Sequence, residues 1–218
     1  MIRIFIESGV NKALDKGKET TNEQDFVEKF ILYHFPQIRL EDFEIIGTGG
    51  KDKLGNTALK FIENTIDGGT NIVIFDADTS SNKGGFSKRK AEILKAKEDY
   101  NIEFDLFLWP NNHADGDFES MLLQITKHEH RGLIDCYRKY EKNITRLDRG
   151  KKLYQTPGRK GEIFSYIASL RKTRKENEKF GKGYWAFQNP KYWDLDSAYL
   201  QPLKEFLKKY LTNCKHSI

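Results

Sequence analysis

The chain has only two cysteines, Cys136 and Cys214, in 218 residues. They lie far apart, with no Cys-x-x-Cys pair and no neighbouring histidine cluster, which argues against a disulfide framework and against a zinc site. No apolar run approaches the ~20 residues a helix needs to cross a bilayer. The opening Met1-Ile-Arg-Ile-Phe-Ile-Glu7 is too short and too quickly charged for a secretory signal, so a cytoplasmic protein without membrane contact is expected. Proline is scarce, at five residues, and the hydrophobic share of 38% with 13% aromatics is that of a globular chain. This length accommodates one large domain, or a domain with an appendage, and a substantial core.

The net charge of +5 is unevenly distributed. Lys127 to Lys182 holds 17 Lys/Arg against 7 Asp/Glu, a local charge of +10, so the remainder carries −5. The basic part is the candidate surface for a polyanion, although most charge runs are simply solvated helix faces.

The informative stretch is Asn71-Ile-Val-Ile-Phe-Asp76-Ala-Asp78. Its β-branched apolar run predicts a strand buried on both faces, ending in two acids one residue apart. Two carboxylates at a strand tip repel unless a cation lies between them or one keeps its proton. The pair therefore implies a divalent-metal ligand set or a nucleophile with its acid partner. The structural alternative is a helix cap, which needs only one Asp.

Around it the chain alternates. Ile2 to Ile6 predicts a strand ending in Glu7-Ser8-Gly9, then a loop over Val10 to Thr20 and a helix carrying Phe26, Val27, Phe30 and Ile31. Phe43 to Gly47 predicts a second strand, followed by Gly49-Gly50-Lys51-Asp52, whose glycines allow close backbone approach. A helix over Leu54 to Ile66, the Asp76 strand, a helix over Ser87 to Asp99 and a strand over Glu103 to Trp109 complete a β-α-β-α-β-α-β pattern. Such units imply a mainly parallel sheet of about four strands with helices on both faces, an α/β Rossmann-like fold. Asp117 and Glu119 then open a helix. From about residue 127 the alternation stops, giving an expected division into an α/β domain over 1–126 and a basic helical extension over 127–218. The aromatics Tyr184, Trp185, Phe187, Tyr192 and Trp193 suit core packing better than base stacking.

Glu7 after the first strand and Asp76-x-Asp78 after the third resemble the arrangement of Toprim domains. The chain is most similar to stand-alone bacterial Toprim-like proteins related to the overcoming-lysogenisation-defect nucleases. The Gly49-Gly50-Lys51-Asp52 turn and Pro110-Asn111…Glu119-Ser120-Met121-Leu122 carry that likeness to about Leu123. The helix at Lys160 and Trp193-Asp194-Leu195-Asp196-Ser197 extend it more weakly. The usual Glu-Gly is Glu7-Ser8-Gly9 here, and Asp25 stands as counterpart of an acid displaced by the Val10 to Thr20 insertion. The resemblance implies a Toprim-like fold and nuclease activity with Mg²⁺ or Mn²⁺ held by Glu7, Asp76 and Asp78, and a second ion by Glu119 with Asp117 or Asp25. It assigns Lys160 to the scissile phosphate. Lys51, Arg146, Arg149, Lys151, Lys152 and Arg159 are then the candidate nucleic-acid contacts. A protein partner or a second copy of the chain completes the expected associations, for instance in phage defence or DNA repair.

Topoisomerase and primase activities need further modules for which the chain has no room. The enzymatic rival is a haloacid-dehalogenase-type phosphatase with Asp76 as nucleophile and Asp78 as acid/base. Its motif belongs on a chain's first core strand, and no late metal-binding acid pair is present. A catalytically silent Toprim scaffold is the non-enzymatic rival.

Overall fold

The computed structural model describes residues 1–9 and 20–212. The loop expected over Val10 to Thr20 falls almost wholly outside them, as does Cys214. Strands β1 (Ile2–Ile6), β2 (Phe43–Gly47), β3 (Thr70–Asp76) and β4 (Asp105–Trp109) form one four-stranded sheet in the order β2-β1-β3-β4. All three pairings are parallel. β1 and β3 are therefore central, and each is hydrogen-bonded on both edges, as the apolar sequence of β3 requires.

Successive side chains of a strand point to opposite faces, so each central strand contributes to two cores. Ile4, Ile6, Ile72, Ile74, Phe107 and Trp109 pack on one face, with helices α1 (Asn22–His34) and α4 (Phe118–Gln124). Phe5, Val73, Phe75 and Leu108 pack on the other, with α2 (Ala58–Ile66) and α3 (Phe86–Asp99). Phe5 and Phe61 stack with ring centroids 3.6 Å apart. Crossovers lie on both faces of the sheet, the α/β Rossmann-like architecture anticipated above.

The helical C-terminal part covers the α1 face. It comprises α5 (Arg131–Asp148), α6 (Gly158–Ser169), α7 (Arg174–Gly181) and α8 (Gln201–Leu211). Trp185, Phe187, Tyr192 and Trp193 are buried in the same cluster as Ile4 and Phe107. Trp193 donates its indole N–H to the Trp185 carbonyl at 2.8 Å, and Tyr166 its hydroxyl to the Tyr192 carbonyl at 2.5 Å. These aromatics serve packing, as their size suggests.

Three details differ from the expectation. The turn Lys51–Thr57 is 3₁₀ rather than α, so α2 begins at Ala58. β4 starts at Asp105, two residues later than the apolar run suggests. Helix α7 carries too few apolar residues for a periodic signal, yet its start is written in a capping box: Thr173 accepts from the Glu176 N–H while Glu176 accepts from the Thr173 N–H.

Asn71 ties β3 to both neighbours on the α2 face. Its amide donates to the carbonyls of Phe61 and Glu103, each at 3.0 Å, and accepts from Asn64 at 2.9 Å. Replacing Asn71 by Ala leaves those buried groups unsatisfied, and should lower unfolding free energy by about 2–3 kcal/mol. Urea denaturation measures this; a loss under ~0.5 kcal/mol would show that the network contributes nothing.

Candidate functional site

The sheet order reverses between β1 and β3. β1 connects to β2 on one side and β3 to β4 on the other, and the crevice outside the carboxyl ends at such a switch point is where open α/β sheets bind ligands. Glu7 follows β1, and Asp76 is the last residue of β3. Both line a cleft of about 490 Å³, together with Glu23, Glu119 and Lys160. The loop after β1 is held close to the end of β2. A Cβ at Gly47 would lie 2.4 Å from the Ser8 carbonyl, so only glycine permits that approach.

Each acid is positioned by backbone or core. Asp76 accepts from the N–H of Phe118 at 2.8 Å, which docks the N-terminus of α4 on the tip of β3. Asp117 caps that helix by accepting from the Ser120 N–H at 2.8 Å. Glu119 follows in the first turn, where the helix dipole favours a carboxylate. The Lys160 amine, on α6, lies 3.6 Å from Glu119, while Arg159 reaches Asp117 at 2.6 Å. The basic extension thus supplies one cation at the cleft itself and one at its border.

Glu23 was not singled out from the sequence, because it reads as an ordinary acid in the first turn of α1. It is only 6% exposed. Trp109, the last residue of β4, donates its indole N–H to Glu23 Oε1 at 2.8 Å, and the Ser8 hydroxyl donates to Oε2 at 2.6 Å. The local signal is the capping box Thr21-x-x-Gln24, which fixes where α1 begins and so directs the residue two positions after the cap at the β1 loop. Asp25, two residues on, is not brought to this cleft. It lines a separate pocket of about 640 Å³ with Lys29, Lys179, Lys182 and Tyr184.

Asp78 does not line the cleft, although its charge acts on Glu7. It has a left-handed backbone, φ 58°, and accepts a 2.6 Å hydrogen bond from the Arg89 guanidinium. Arg89 is 1% exposed and makes a second 2.6 Å bond to Glu92. Gly84 is packed against this turn so closely that a Cβ there would meet the Asp78 Cβ at 2.3 Å. Lys51 lies 3.9 Å from Glu92, on the same side. Arg146, Arg149, Lys151 and Lys152 stand at the far end of α5 and in the turn after it, and do not line the cleft.

The cleft is electrostatically loaded. Burial raises the Asp76 carboxyl well above the ordinary range, and Glu23, Glu7 and Glu119 raise it further. Burial also raises Glu7, aided by the charge of Asp78, while backbone N–H groups of Lys51 and Asp76 oppose the rise. One Glu7 oxygen, Oε2, is buried with no hydrogen-bond partner among the described residues. Glu119 is raised by burial, against the pull of Lys160. Glu23 is pushed up to about 7 by burial, despite its bonds from Ser8 and Trp109. All are oxygen donors whose burial disfavours their charge, the ligand chemistry that a hard divalent ion prefers. Among the described residues, however, no three His, Cys, Asp or Glu side chains are gathered tightly enough to hold an ion as they stand.

A carboxyl whose folded pKa exceeds its unfolded one stabilises the fold at low pH, and that stability is lost as pH rises through the folded value. For Glu23 the window runs from 4.5 to about 7, equivalent to about 3 kcal/mol. The metal-free protein should therefore melt at lower temperature at pH 8 than at pH 5, and Glu23→Gln should flatten that slope. Thermal melts across this range in chelator test it; a melting temperature that rises with pH would contradict it.

Among the described residues no helix is long and apolar enough to cross a membrane. Compared with solved structures, the chain is similar to the C-terminal region of the Burkholderia pseudomallei OLD protein, with 18% identity and a TM-score of 0.45 over 96% of this chain and 98% of that one. No curated protein matches it. A family model matches residues 18–212, nearly the whole length. The chain therefore belongs to the family described as "Protein of unknown function (DUF3226)".

Proposed function

We propose that the chain is a divalent-metal-dependent nuclease of Toprim type. The observation that carries this reading is the convergence of Glu7, Glu23, Asp76 and Glu119 on one cleft at the switch point of a parallel sheet, with Lys160 at its edge. Mg²⁺ or Mn²⁺ bound there would neutralise charge on a phosphodiester and on its attacking and leaving oxygens. Glu7 and Asp76 are the principal candidates to hold the ion: they stand at or just beyond the ends of the central strands, and Glu7 Oε2 has no hydrogen-bond partner among the described residues. Glu23 and Glu119 flank them and complete an all-oxygen donor set.

The remaining residues have supporting roles. The Phe118 N–H fixes one Asp76 oxygen and so orients the other. Lys160, largely solvent-exposed and paired with Glu119, offers its amine to a phosphate entering the cleft. Asp78, held by Arg89, acts here through the turn that carries Asp76 instead of facing the substrate. The same ion pair counts against the phosphatase reading, which requires Asp78 as a free acid/base beside Asp76. The basic arm beyond α5 would carry the nucleic-acid backbone.

The looseness of the donor set favours one second reading, a scaffold that binds nucleic acid or a partner without cutting. Cleavage of plasmid DNA and of a labelled RNA with Mn²⁺, beside calorimetric titration of the ion, separates the two. Asp76→Asn should abolish ion binding and lower cleavage by more than the roughly 10–100-fold that losing an outer-shell partner costs. Lys160→Ala should lower cleavage without weakening ion binding, because it removes a competing cation beside Glu119. Ion binding without cleavage would establish the scaffold; no ion binding would end the nuclease reading.

A further inference from the structure

Helix α5 has an apolar stripe that outruns its cover. Ile134, Tyr137, Tyr140, Ile144 and Leu147 recur at helical spacing along one face. Ile134 and Tyr137 are buried against the rest of the molecule, Ile144 is half-covered, but Tyr140 and Leu147 are 53% and 71% exposed. The turn that follows exposes two more large side chains, Leu153 at 67% and Tyr154 at 58%.

This turn is built, not slack. Asp148 accepts from the N–H groups of Lys152, Leu153 and Tyr154 at 2.9, 2.5 and 3.0 Å, and these bonds hold its carboxyl below the ordinary range. Glu141 accepts from the Gly158 N–H at 2.9 Å, tying the end of the turn back to α5. Arg138 clasps Glu162 of α6 at 2.7 Å. The exposed apolar groups are thus presented by an arm of two braced helices and an ordered turn.

The charge around them decides what they meet. Residues 138–160 carry nine Lys/Arg against two Asp/Glu, a net +7. Two copies of such a surface would repel, so self-association is disfavoured although apolar groups are exposed. A polyanion with flat apolar faces matches both features at once. A duplex offers the charge but hides its bases in the stack, and gives Tyr154 and Leu153 nothing to cover. A single strand offers both.

We propose that this arm binds single-stranded nucleic acid, stacking bases on Tyr154 and Tyr140 and holding phosphates with Arg146, Arg149, Lys151 and Lys152. Lys160, in the first turn of α6 directly after the arm's turn, lines the cleft, so the arm adjoins the acids through the chain itself. The inference names a substrate class for the proposed nuclease and in that sense rests on the preceding reading.

Binding measured in chelator keeps the two separable, because no cleavage is then needed. Fluorescence anisotropy with labelled single-stranded DNA, single-stranded RNA and the corresponding duplexes should show single strands bound more tightly than duplexes, the two single strands revealing any preference between sugars. Tyr154→Ala should weaken single-strand binding about tenfold and leave duplex binding and the salt slope unchanged, whereas Tyr154→Phe should retain affinity. Lys151→Ala with Lys152→Ala should weaken both and reduce the single-strand salt slope by about 1.4. Circular dichroism confirms that each variant is folded. Equal affinity for duplex and single strand with no effect of Tyr154→Ala, or no binding at all, would overturn the inference. So would a concentration-dependent dimer, seen by light scattering, that Leu153→Asp dissociates. A protein that binds as expected yet never cuts with Mn²⁺ would retain the arm and lose the nuclease.

Discussion

The site depends on carboxylates that are forced together by a fold that gives them little compensation. A sheet buried on both faces ends its two central strands side by side, and Glu7 and Asp76 are the residues at or just beyond those ends. Trp109 and Ser8 draw Glu23 in from α1, and the capped start of α4 brings Glu119. Each contact that fixes an acid also removes it from water, so repulsion and desolvation act together to raise the protonation of Asp76, Glu7 and Glu23. Among the described residues, Lys160 stands at the rim as a counter-charge to Glu119, and the Arg89 guanidinium acts on Glu7. Such a cluster is stable with protons or with a cation, and pH decides which is available.

The fold was legible because its physics is local. The short apolar run of β1, the continuous apolar run of β3 and the phenylalanine spacing of α1 each specify an element without reference to the rest. The site was legible only in part. Glu7 and Asp76 stand out as acids at strand ends, a signal that depends on sequence position alone. Glu23 depends on where α1 begins and on which neighbour of the cap points inward, a matter of one helical turn. Asp25, named as counterpart of the displaced acid, lines another pocket.

Asp78 shows a different dependence on local geometry. In sequence it is the twin of Asp76, two positions on at the end of the same apolar run. Beyond the strand the period-two rule no longer applies, and the left-handed turn at Asp78 takes its carboxyl to Arg89. Nothing in the charged pattern of α3 marks Arg89 as the residue that becomes fully buried. The C-terminal aromatics were readable as core because of size, while the exposed Tyr140, Leu147, Leu153 and Tyr154 became visible only once α5 was seen to extend past its packing partners.

The central claim is that the buried acids share protons which a divalent cation replaces. Calorimetric titration with Mn²⁺ at pH 6.5, repeated in buffers of different ionisation enthalpy, counts the protons released on binding. The account predicts release of a substantial fraction of a proton or more, diminishing as pH is raised above 8 and lost with Asp76→Asn. Binding of Mn²⁺ without proton release at pH 6.5 would contradict it, because the acids would then already be ionised and the cluster would not be held in the form described.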